Sequence, residues 1–196
     1  MPINPASAMN PAPQLAVVVP VCNEEDNVAT LVGEILSALR GRIAFEIIYV
    51  DDASRDATLS RLQALQTTTP ELRVIRHLVN AGQSTAVRNG VKAARAPWIA
   101  TLDGDGQNDP ADIPKLLEQR ASAATEVKLF AGWRTQRKDS GSKRWASKFA
   151  NGIRARLLRD ATPDTGCGIK LFEREAFLDL PYFDHMHRYL PALMQR

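Results

Sequence analysis

The run LAVVVP, residues 15–20, is the segment from which the fold can be predicted. It is short, rich in β-branched residues and ends at a proline, a pattern typical of a buried parallel strand. Asn23 follows as a candidate helix N-cap with acidic residues behind it, and apolar residues from Val28 to Leu39 recur at helical spacing. The segment therefore predicts a strand followed by a helix that packs against it.

The same alternation continues along the first half of the chain. Apolar runs that predict strands lie at 45–50, 72–76 and 98–103. Helices are predicted between them, one capped by Ser54 and another at 83–95. This order predicts an α/β fold with a parallel sheet and right-handed crossovers.

The second half of the chain is less regular, but further elements are predicted there. Strands are expected at 127–133 and 169–172, a basic helix at about 143–159, and a helix that begins near Pro110. The final residues, HRYLPALMQR, have the pattern of a helix cut short, so we expect a truncated chain.

Length and composition exclude several classes of protein. The chain has 196 residues, of which 44% are hydrophobic and 24% charged, so wholesale disorder and collagen-like repeats are excluded. No stretch approaches the roughly 20 apolar residues that span a bilayer. Residues 1–13 are rich in proline and lack the features of a signal peptide, which predicts a disordered lead-in. Residues 14–196 are expected to form a single domain.

The cysteines, the histidines and the net charge exclude other kinds of site. Cys22 and Cys167 make neither a disulfide framework nor a zinc site, so we expect small buried residues in a reduced, cytosolic setting. The histidines are scattered and predict no ligand cluster; they are His77, His185 and His187. A net charge of only +3 and few stacking aromatics argue against nucleic-acid binding.

Acidic residues follow three of the predicted strands, at the point where each strand ends. Strand one is followed by VCNEE (21–25), strand two by DDASRD (51–56) and strand four by DGDGQ (103–107). If the strand order is 3-2-1-4, these ends meet at one crevice. Neither the glycine motif of a dinucleotide site nor that of a P-loop is present.

The DGDGQ segment favours a divalent cation over a direct phosphate site. Asp103 and Asp105 project two oxygen donors to one side of an extended segment, and Gln107 could add a third. Such hard oxygen ligands suit Mg²⁺ or Mn²⁺, which keep open positions for a substrate diphosphate. A simple turn is the alternative for an isolated DGDG. For Asp52 and Ser54, helix capping is the alternative to a role in binding.

Together these motifs resemble the family 2 glycosyltransferases of the GT-A fold, a Rossmann-like domain whose mainly parallel sheet is flanked by helices. The group most similar is the polyprenyl-phosphate sugar synthases, typified by dolichol-phosphate mannose synthase. The segments that carry the resemblance are VVVPVCNEEDN (17–27), VDDASRDAT (50–58), NAGQSTAVRNG (80–90), LDGDGQNDP (102–110) and DTGCGIKLFERE (164–175).

The resemblance implies roles for individual residues. A first set would line the pocket of the donor nucleotide: Pro20, Asn23, Glu24, Glu25, Asp52 and Arg88. A second set would hold the metal ion and the diphosphate: Asp103, Asp105 and Gln107. Lys170 or Arg174 would reach a donor phosphate, although a lysine at 170 lacks the bidentate geometry of the arginine that is frequent in the family. A last set would receive the lipid phosphate: Arg134, Lys143, Arg144 and Ser147.

The resemblance also implies an activity. It is the inverting, metal-dependent transfer of a sugar from a nucleoside diphosphate sugar to a polyprenyl phosphate. The donor would be GDP-mannose or a UDP-sugar, and the acceptor dolichyl or undecaprenyl phosphate. The catalytic residues would be Asp103, Asp105 and Arg134. The basic helix at about 143–159 has one apolar stripe, so the enzyme is expected to be cytoplasmic and peripheral at the inner membrane face. A core-facing helix with a solvated basic back is the alternative.

Other functions remain open from the sequence. A family 2 enzyme of surface polysaccharide synthesis would use a sugar hydroxyl as acceptor and would need a general base, for which Asp164 is a candidate. A non-catalytic module would bind the sugar nucleotide without turnover. A Mg²⁺-dependent phosphohydrolase is a third alternative, but DGDGQ lacks the Thr or Ser expected after its nucleophilic aspartate.

Overall fold

The first four strands lie in the order that brings the acidic strand ends together. The structure is a computed structural model that describes residues 12–132 and 167–194. The strands in these residues are β1 (Leu15–Val21), β2 (Phe45–Asp51), β3 (Leu72–Arg76), β4 (Trp98–Thr101), β5 (Leu129–Ala131) and β6 (Lys170–Glu173). They form one sheet of order β3-β2-β1-β4-β6-β5, in which β6 runs antiparallel to β4 and β5. The first four strands thus have the order 3-2-1-4 on which the expected crevice depends, and the predicted α/β class is confirmed.

Helices connect the parallel strands and complete the domain. Those in the described residues are α1 (Val28–Leu39), α2 (Thr58–Gln66), α3 (Gln83–Ala93), α4 (Asp112–Ser122), α5 (Arg174–Leu178) and α6 (Leu190–Leu193). A 3-10 turn at Met186–Arg188 precedes α6, so the predicted last helix is divided into two short pieces. Each helix of the described ranges is too short or too polar to cross a bilayer.

The first two helices begin later than predicted. Asn23 does not cap α1, which starts after Asn27, and Ser54 does not cap α2, which starts after Ala57. Instead the backbone N–H of Asn23 donates to Ser54 Oγ at 2.9 Å. The two loops that follow β1 and β2 are therefore joined to each other. The predicted basic helix at 143–159 and all but the end of the lead-in at 1–13 lie outside the described residues.

The sheet is covered on both faces because strand side chains alternate between them. On one face, Val17 and Val19 of β1 pack in a core with α1, α2 and α4. On the other face, Val18 packs with α3 and α5. Every residue of β1 is buried, as expected for a central strand of a parallel sheet with helices on both sides.

Gly90 lets α3 approach the sheet closely. A Cβ atom on Gly90 would lie 2.5 Å from Cγ1 of Val18 and 3.2 Å from Cγ2 of Val50. These distances are shorter than packed carbon atoms tolerate. The position of α3, whose first turn borders the crevice described below, thus depends on this missing side chain.

The substitution Gly90→Ala is expected to lower the free energy of unfolding by about 1 kcal/mol or more, because overpacking outweighs the gain in helix propensity. Gly33→Ala is the matched control, since a Cβ there has no atom within 4 Å. It should raise the free energy of unfolding by about 0.5–1 kcal/mol. Urea unfolding followed by circular dichroism measures both, and equal effects of the two substitutions would contradict the close approach.

Candidate active site

A crevice opens at the carboxyl ends of β1, β2 and β4, where the connections of a doubly wound sheet diverge. We call its wider part, of about 410 Å³, the outer cavity; the residues lining it include Cys22, Glu24, Asp52, Asn80 and Asp105. We call its deeper part, of about 150 Å³, the inner cavity; the residues lining it include Thr101, Gly168, Lys170 and His187. Pro20, Gln83 and Asp103 line both cavities. The two cavities therefore meet at these three residues.

Asp52 fixes the loop that leads into α3. Its carboxylate accepts hydrogen bonds from the N–H groups of Ala81 and Gly82, both at 2.8 Å, and from Nδ1 of His77 at 2.7 Å. Nε2 of His77 is 2.9 Å from the amide nitrogen of Asn89, which assigns the proton to Nδ1. Asp52 is only 4% exposed, so these donors replace the water that the carboxylate loses on burial.

Asp103 lies where the two cavities meet. Gln83, the first residue of α3, donates from Nε2 to Oδ1 of Asp103 at 2.8 Å. Gly168 lies against the other oxygen, because a Cβ atom there would be 2.1 Å from Oδ2 of Asp103. The carboxylate is therefore held from one side by an amide and approached from the other by a residue without a side chain. The sequence analysis identified neither of these neighbours.

Asp105 is exposed at the mouth of the outer cavity, and Gln107 lies elsewhere. Oδ1 of Asp105 accepts the backbone N–H of Gln107 at 3.0 Å, so the segment also forms the turn typical of its composition. Gln107 lines a separate groove between α1 and α4 and neither cavity of the crevice. Of the three predicted oxygen ligands, the structure brings two carboxylates to the crevice. Within the described ranges, no group of three or more His, Cys, Asp or Glu could hold a metal ion by itself.

Lys170 brings a positive charge to the inner cavity. It is the first residue of β6 and pairs with Thr101, the last residue of β4. The side chain is 5% exposed, and its ammonium group donates to the carbonyl oxygen of Cys167.

Cys167 is buried as predicted, whereas Cys22 is only half-buried.

The structure does not bring Arg174 to the crevice. Because β6 runs antiparallel to β4, the residue after β6 lies beyond the amino end of β4, where the N–H of Arg174 donates to the carbonyl of Pro97 at 2.8 Å. Its guanidinium group donates to backbone carbonyls at the end of α3. Of the two residues offered as alternatives for reaching a donor phosphate, only Lys170 lines the crevice.

Arg88 also lies away from the crevice. Its guanidinium carbon is 5.3 Å from the centre of the Tyr182 ring, a cation–π contact, and the residue lines neither cavity. A contact between Arg88 and the nucleotide is therefore not supported by its position.

The acidic loop after β1 is divided between the crevice and contacts with the loop after β2. Glu24 lines the outer cavity, and its side chain accepts a hydrogen bond from Asn27 at 2.7 Å. Glu25 accepts the backbone N–H of Ala57 at 2.9 Å, and Oδ1 of Asn23 accepts a backbone N–H from the loop after β2 at 2.8 Å. The structure therefore places Pro20 and Glu24 at the cavity and uses Asn23 and Glu25 to hold loops together.

A second hydrogen-bonded pair borders the inner cavity. Ser84 Oγ lies 2.6 Å from Nδ1 of His187, and Ser84 is fully buried in the first turn of α3. Burial lowers the pKa of His187 to about 4, and the charges of Arg188 and Lys170 act in the same direction. His187 is therefore uncharged near neutral pH. The sequence analysis could not single it out, since its partner lies 103 positions away.

The predicted acceptor residues lie outside the described ranges. These residues are Arg134, Lys143, Arg144 and Ser147, and the candidate base Asp164 also belongs to this part of the chain. Their roles stay predictions.

Similarity to solved structures supports the fold that the geometry shows. One is glucosyl-3-phosphoglycerate synthase from Mycobacterium tuberculosis in complex with UDP, with a TM-score of 0.69 and 20% identity over 87% of this chain and 60% of that one. Another is a mannosyltransferase from Pyrobaculum calidifontis in complex with GDP-Man and Mn²⁺, with a TM-score of 0.66 and 22% identity over 88% of this chain and 48% of that one. The predicted GT-A fold is confirmed.

Sequence relatives identify the family. A dodecaprenyl-phosphate galacturonate synthase from Rhizobium johnstonii is 36% identical over 184 residues, which cover 91% of this chain and 53% of the relative. An undecaprenyl-phosphate 4-deoxy-4-formamido-L-arabinose transferase from Pseudomonas paraeruginosa is 36% identical over 168 residues, 84% of this chain and 48% of the relative. The chain thus spans about half the length of the curated relatives it matches. The family model named glycosyl transferase family 2 matches residues 16–180, and the chain belongs to this family.

Proposed function

We propose that the chain is the catalytic domain of a glycosyltransferase that moves a sugar from a nucleoside diphosphate sugar to a polyprenyl phosphate. One observation carries the proposal: two carboxylates, Asp103 and Asp105, and one buried cation, Lys170, border the same crevice at the ends of the parallel strands. The names of the relatives support the class of acceptor, since both act on a polyprenyl phosphate.

The shape of the crevice supports an ordered placement of the donor. The outer cavity is the wider one and is bordered by Glu24, Asp52 and Asn80, whose polar groups suit a base and a ribose. The diphosphate would lie at Asp103, between the two cavities, with Lys170 beside it. The sugar would then enter the inner cavity.

The donor set fits Mg²⁺ or Mn²⁺ shared with a substrate. Asp103 and Asp105 supply oxygen ligands only, and a hard divalent cation is often held by one or two carboxylates together with substrate phosphates. Gly168 approaches the carboxylate of Asp103 without a side chain, and Asp103 itself lines the inner cavity. A divalent cation bound by these carboxylates would offset the negative charge of the departing diphosphate.

The residues of the crevice would act mainly by positioning and by charge. Lys170, which is buried and lines the inner cavity together with Asp103, would stabilise negative charge on the donor phosphates as the bond to the sugar breaks. The acceptor oxygen would attack the anomeric carbon from the opposite side and invert its configuration. A lipid phosphate is already ionised, so no general base is needed for its attack.

The acceptor is expected at the basic segment that begins with Arg134. Nine Lys and Arg residues lie between positions 134 and 159, with Asp139 as the only acidic residue in that interval. We infer that this segment binds the phosphate of the lipid and places the enzyme at the inner face of a membrane, because anionic surfaces attract clustered basic side chains.

The first test is the substitution Asp105→Asn in a transfer assay. Radiolabelled GDP-mannose and UDP-glucose are each offered to a short polyprenyl phosphate, with Mn²⁺ or with a chelator. The wild-type chain should label the lipid only with metal, and Asp105→Asn should lose at least about 100-fold in rate, because an amide carries no charge for the cation. Asp109→Asn, which changes another exposed aspartate outside both cavities, is the matched control. Full metal-dependent transfer by a folded Asp105→Asn variant would contradict the assignment.

The substitution Gly168→Ala tests the packing around Asp103. The added methyl group would overlap Oδ2 of Asp103 and displace this carboxylate. We expect nucleoside diphosphate binding in the presence of Mn²⁺, measured by titration calorimetry, to weaken by about tenfold or more. Gly33→Ala is again the control, and an unchanged affinity of Gly168→Ala would show that Asp103 does not contribute to binding.

The substitution Arg134→Ala tests the acceptor site separately. It should raise the KM for the polyprenyl phosphate while leaving the KM for the nucleotide sugar unchanged, because a phosphate contact is lost on one substrate only. Steady-state kinetics with each substrate varied in turn gives both constants. Weakened use of the donor, with the acceptor unaffected, would place Arg134 at the donor instead.

A further inference from the structure

His187 gives one ring nitrogen to Ser84 and lines the inner cavity with the rest of its ring. Nδ1 lies 2.6 Å from Ser84 Oγ, and the backbone N–H of His187 also faces this oxygen, at 3.5 Å. Ser84 is only 1% exposed, so its hydroxyl group has no access to bulk water. The contact ties the 3-10 turn before α6 to the first turn of α3.

The hydrogen bonds of Ser84 assign the tautomer of the ring. Within the described ranges, Nδ1 of His187 is the one acceptor placed for the Ser84 hydroxyl proton. If Nδ1 carried the proton instead, the buried hydroxyl would have no acceptor, which costs free energy. Ser84 therefore donates to Nδ1, and in a neutral ring the proton is on Nε2.

The ring is held as a neutral hydrogen-bond donor. Burial lowers the pKa of His187 to about 4, with Arg188 and Lys170 adding to the shift and Asp184 opposing it. No residue of the described ranges accepts a hydrogen bond from Nε2. The Nε2–H group of the half-buried His187 at the wall of the inner cavity can therefore donate a hydrogen bond to a bound molecule.

The position of the ring indicates which part of the donor it would meet. In the proposed function, the nucleoside would occupy the outer cavity and the diphosphate would lie at Asp103, so the sugar would enter the inner cavity beyond Asp103. A sugar presents neutral hydroxyl groups, and a neutral N–H donor suits their oxygens. The positive charge of this cavity comes from the buried Lys170 and the exposed Arg188, which line it with His187.

We propose that His187 donates a hydrogen bond from Nε2 to a hydroxyl oxygen of the sugar moiety, and that Ser84 is a positioning residue that fixes the ring in the tautomer required. The inference rests on the proposed function, because it takes the molecule in the inner cavity to be the sugar of a nucleotide sugar. His187 then contributes to the affinity for the sugar and to its orientation, and not to the affinity for the nucleotide.

Two substitutions of His187 separate its two ring nitrogens. In His187→Gln, the side-chain amide can place an N–H near the position of Nε2 and so keeps a donor for the cavity. In His187→Asn, the shorter side chain can reach the position of Nδ1 and keep a contact with Ser84, but it leaves the cavity without the donor. His185→Asn is the matched control, because His185 is exposed and adopts a left-handed φ of 63° that asparagine tolerates.

The experiment measures the affinities of the full chain for UDP, UDP-glucose, GDP and GDP-mannose by titration calorimetry with Mn²⁺. For the nucleotide sugar that wild type binds best, His187→Asn should weaken binding by about tenfold, as expected for one lost hydrogen bond, and leave the matching nucleoside diphosphate unchanged. His187→Gln should restore most of the loss, and His185→Asn should match wild type. Ser84→Ala should show a smaller loss for the same ligand.

Failure of the inference and failure of the proposed function give different results. If wild type binds nucleotide sugars and His187→Asn binds them equally well, the contact with the sugar is refuted. If His187→Asn loses the nucleoside diphosphate by the same factor, His187 has a structural role only and the inference is again refuted. If wild type binds none of the four ligands, the proposed function itself fails, and the inference fails with it.

Discussion

The carboxylate of Asp52 is the constraint on which the crevice depends. It accepts two consecutive backbone N–H groups, those of Ala81 and Gly82, directly before α3 begins. The first two residues of α3 then reach the two sides of the inner cavity, since Gln83 bonds Asp103 and Ser84 bonds His187. A single buried charge at the end of β2 thus sets the position of two groups that it does not touch.

The direction of β6 is the second constraint. If β6 were parallel to β4, it would begin beside the amino end of β4, and its first residues would lie away from the crevice. Because β6 is antiparallel, the chain enters β6 beside Thr101, whose hydroxyl group donates to the carbonyl of Gly168 at 2.9 Å. This brings Gly168 against Asp103 and Lys170 into the inner cavity, while Arg174 emerges at the far edge.

The sequence predicts what depends on neighbours along the chain and misses what depends on packing between distant segments. The positions of the strands follow from local patterns of hydrophobicity. The placement of the acidic residues after β4 at the crevice follows from the rule that the carboxyl ends of parallel strands share one edge of the sheet. The use of Asn23 and Glu25 as links to the loop after β2 does not follow, because their partners lie about 30 positions further on. The same limit applies to Arg88, which is drawn to an aromatic ring brought near only by the folded chain.

Helix caps show a related limit. A polar residue before an apolar helix predicts a cap, as Asn23 and Ser54 did, but a nearby loop offers competing hydrogen bonds. Asn23 adopts a φ of 58° and bonds Ser54 across the two loops, so each helix starts only after these bonds have been made. The acidic residues between Asn23 and the start of α1 therefore remain outside the helix. Glu24 lines the outer cavity, and Glu25 accepts a hydrogen bond from the backbone of the loop after β2.

The distribution of charge in the crevice distinguishes its parts. Asp103 and Asp105 alone would repel a diphosphate, and Lys170 alone would attract phosphates without selecting a cation between them. With both signs present, a diphosphate and a divalent cation would each offset a charge that opposes the binding of the other. Among the residues that line the inner cavity, His187 adds a donor without a charge, since burial lowers the pKa of its ring to about 4. In the proposed function, the charged region would bind the phosphates of a nucleotide sugar, and the neutral donor of His187 would meet its sugar.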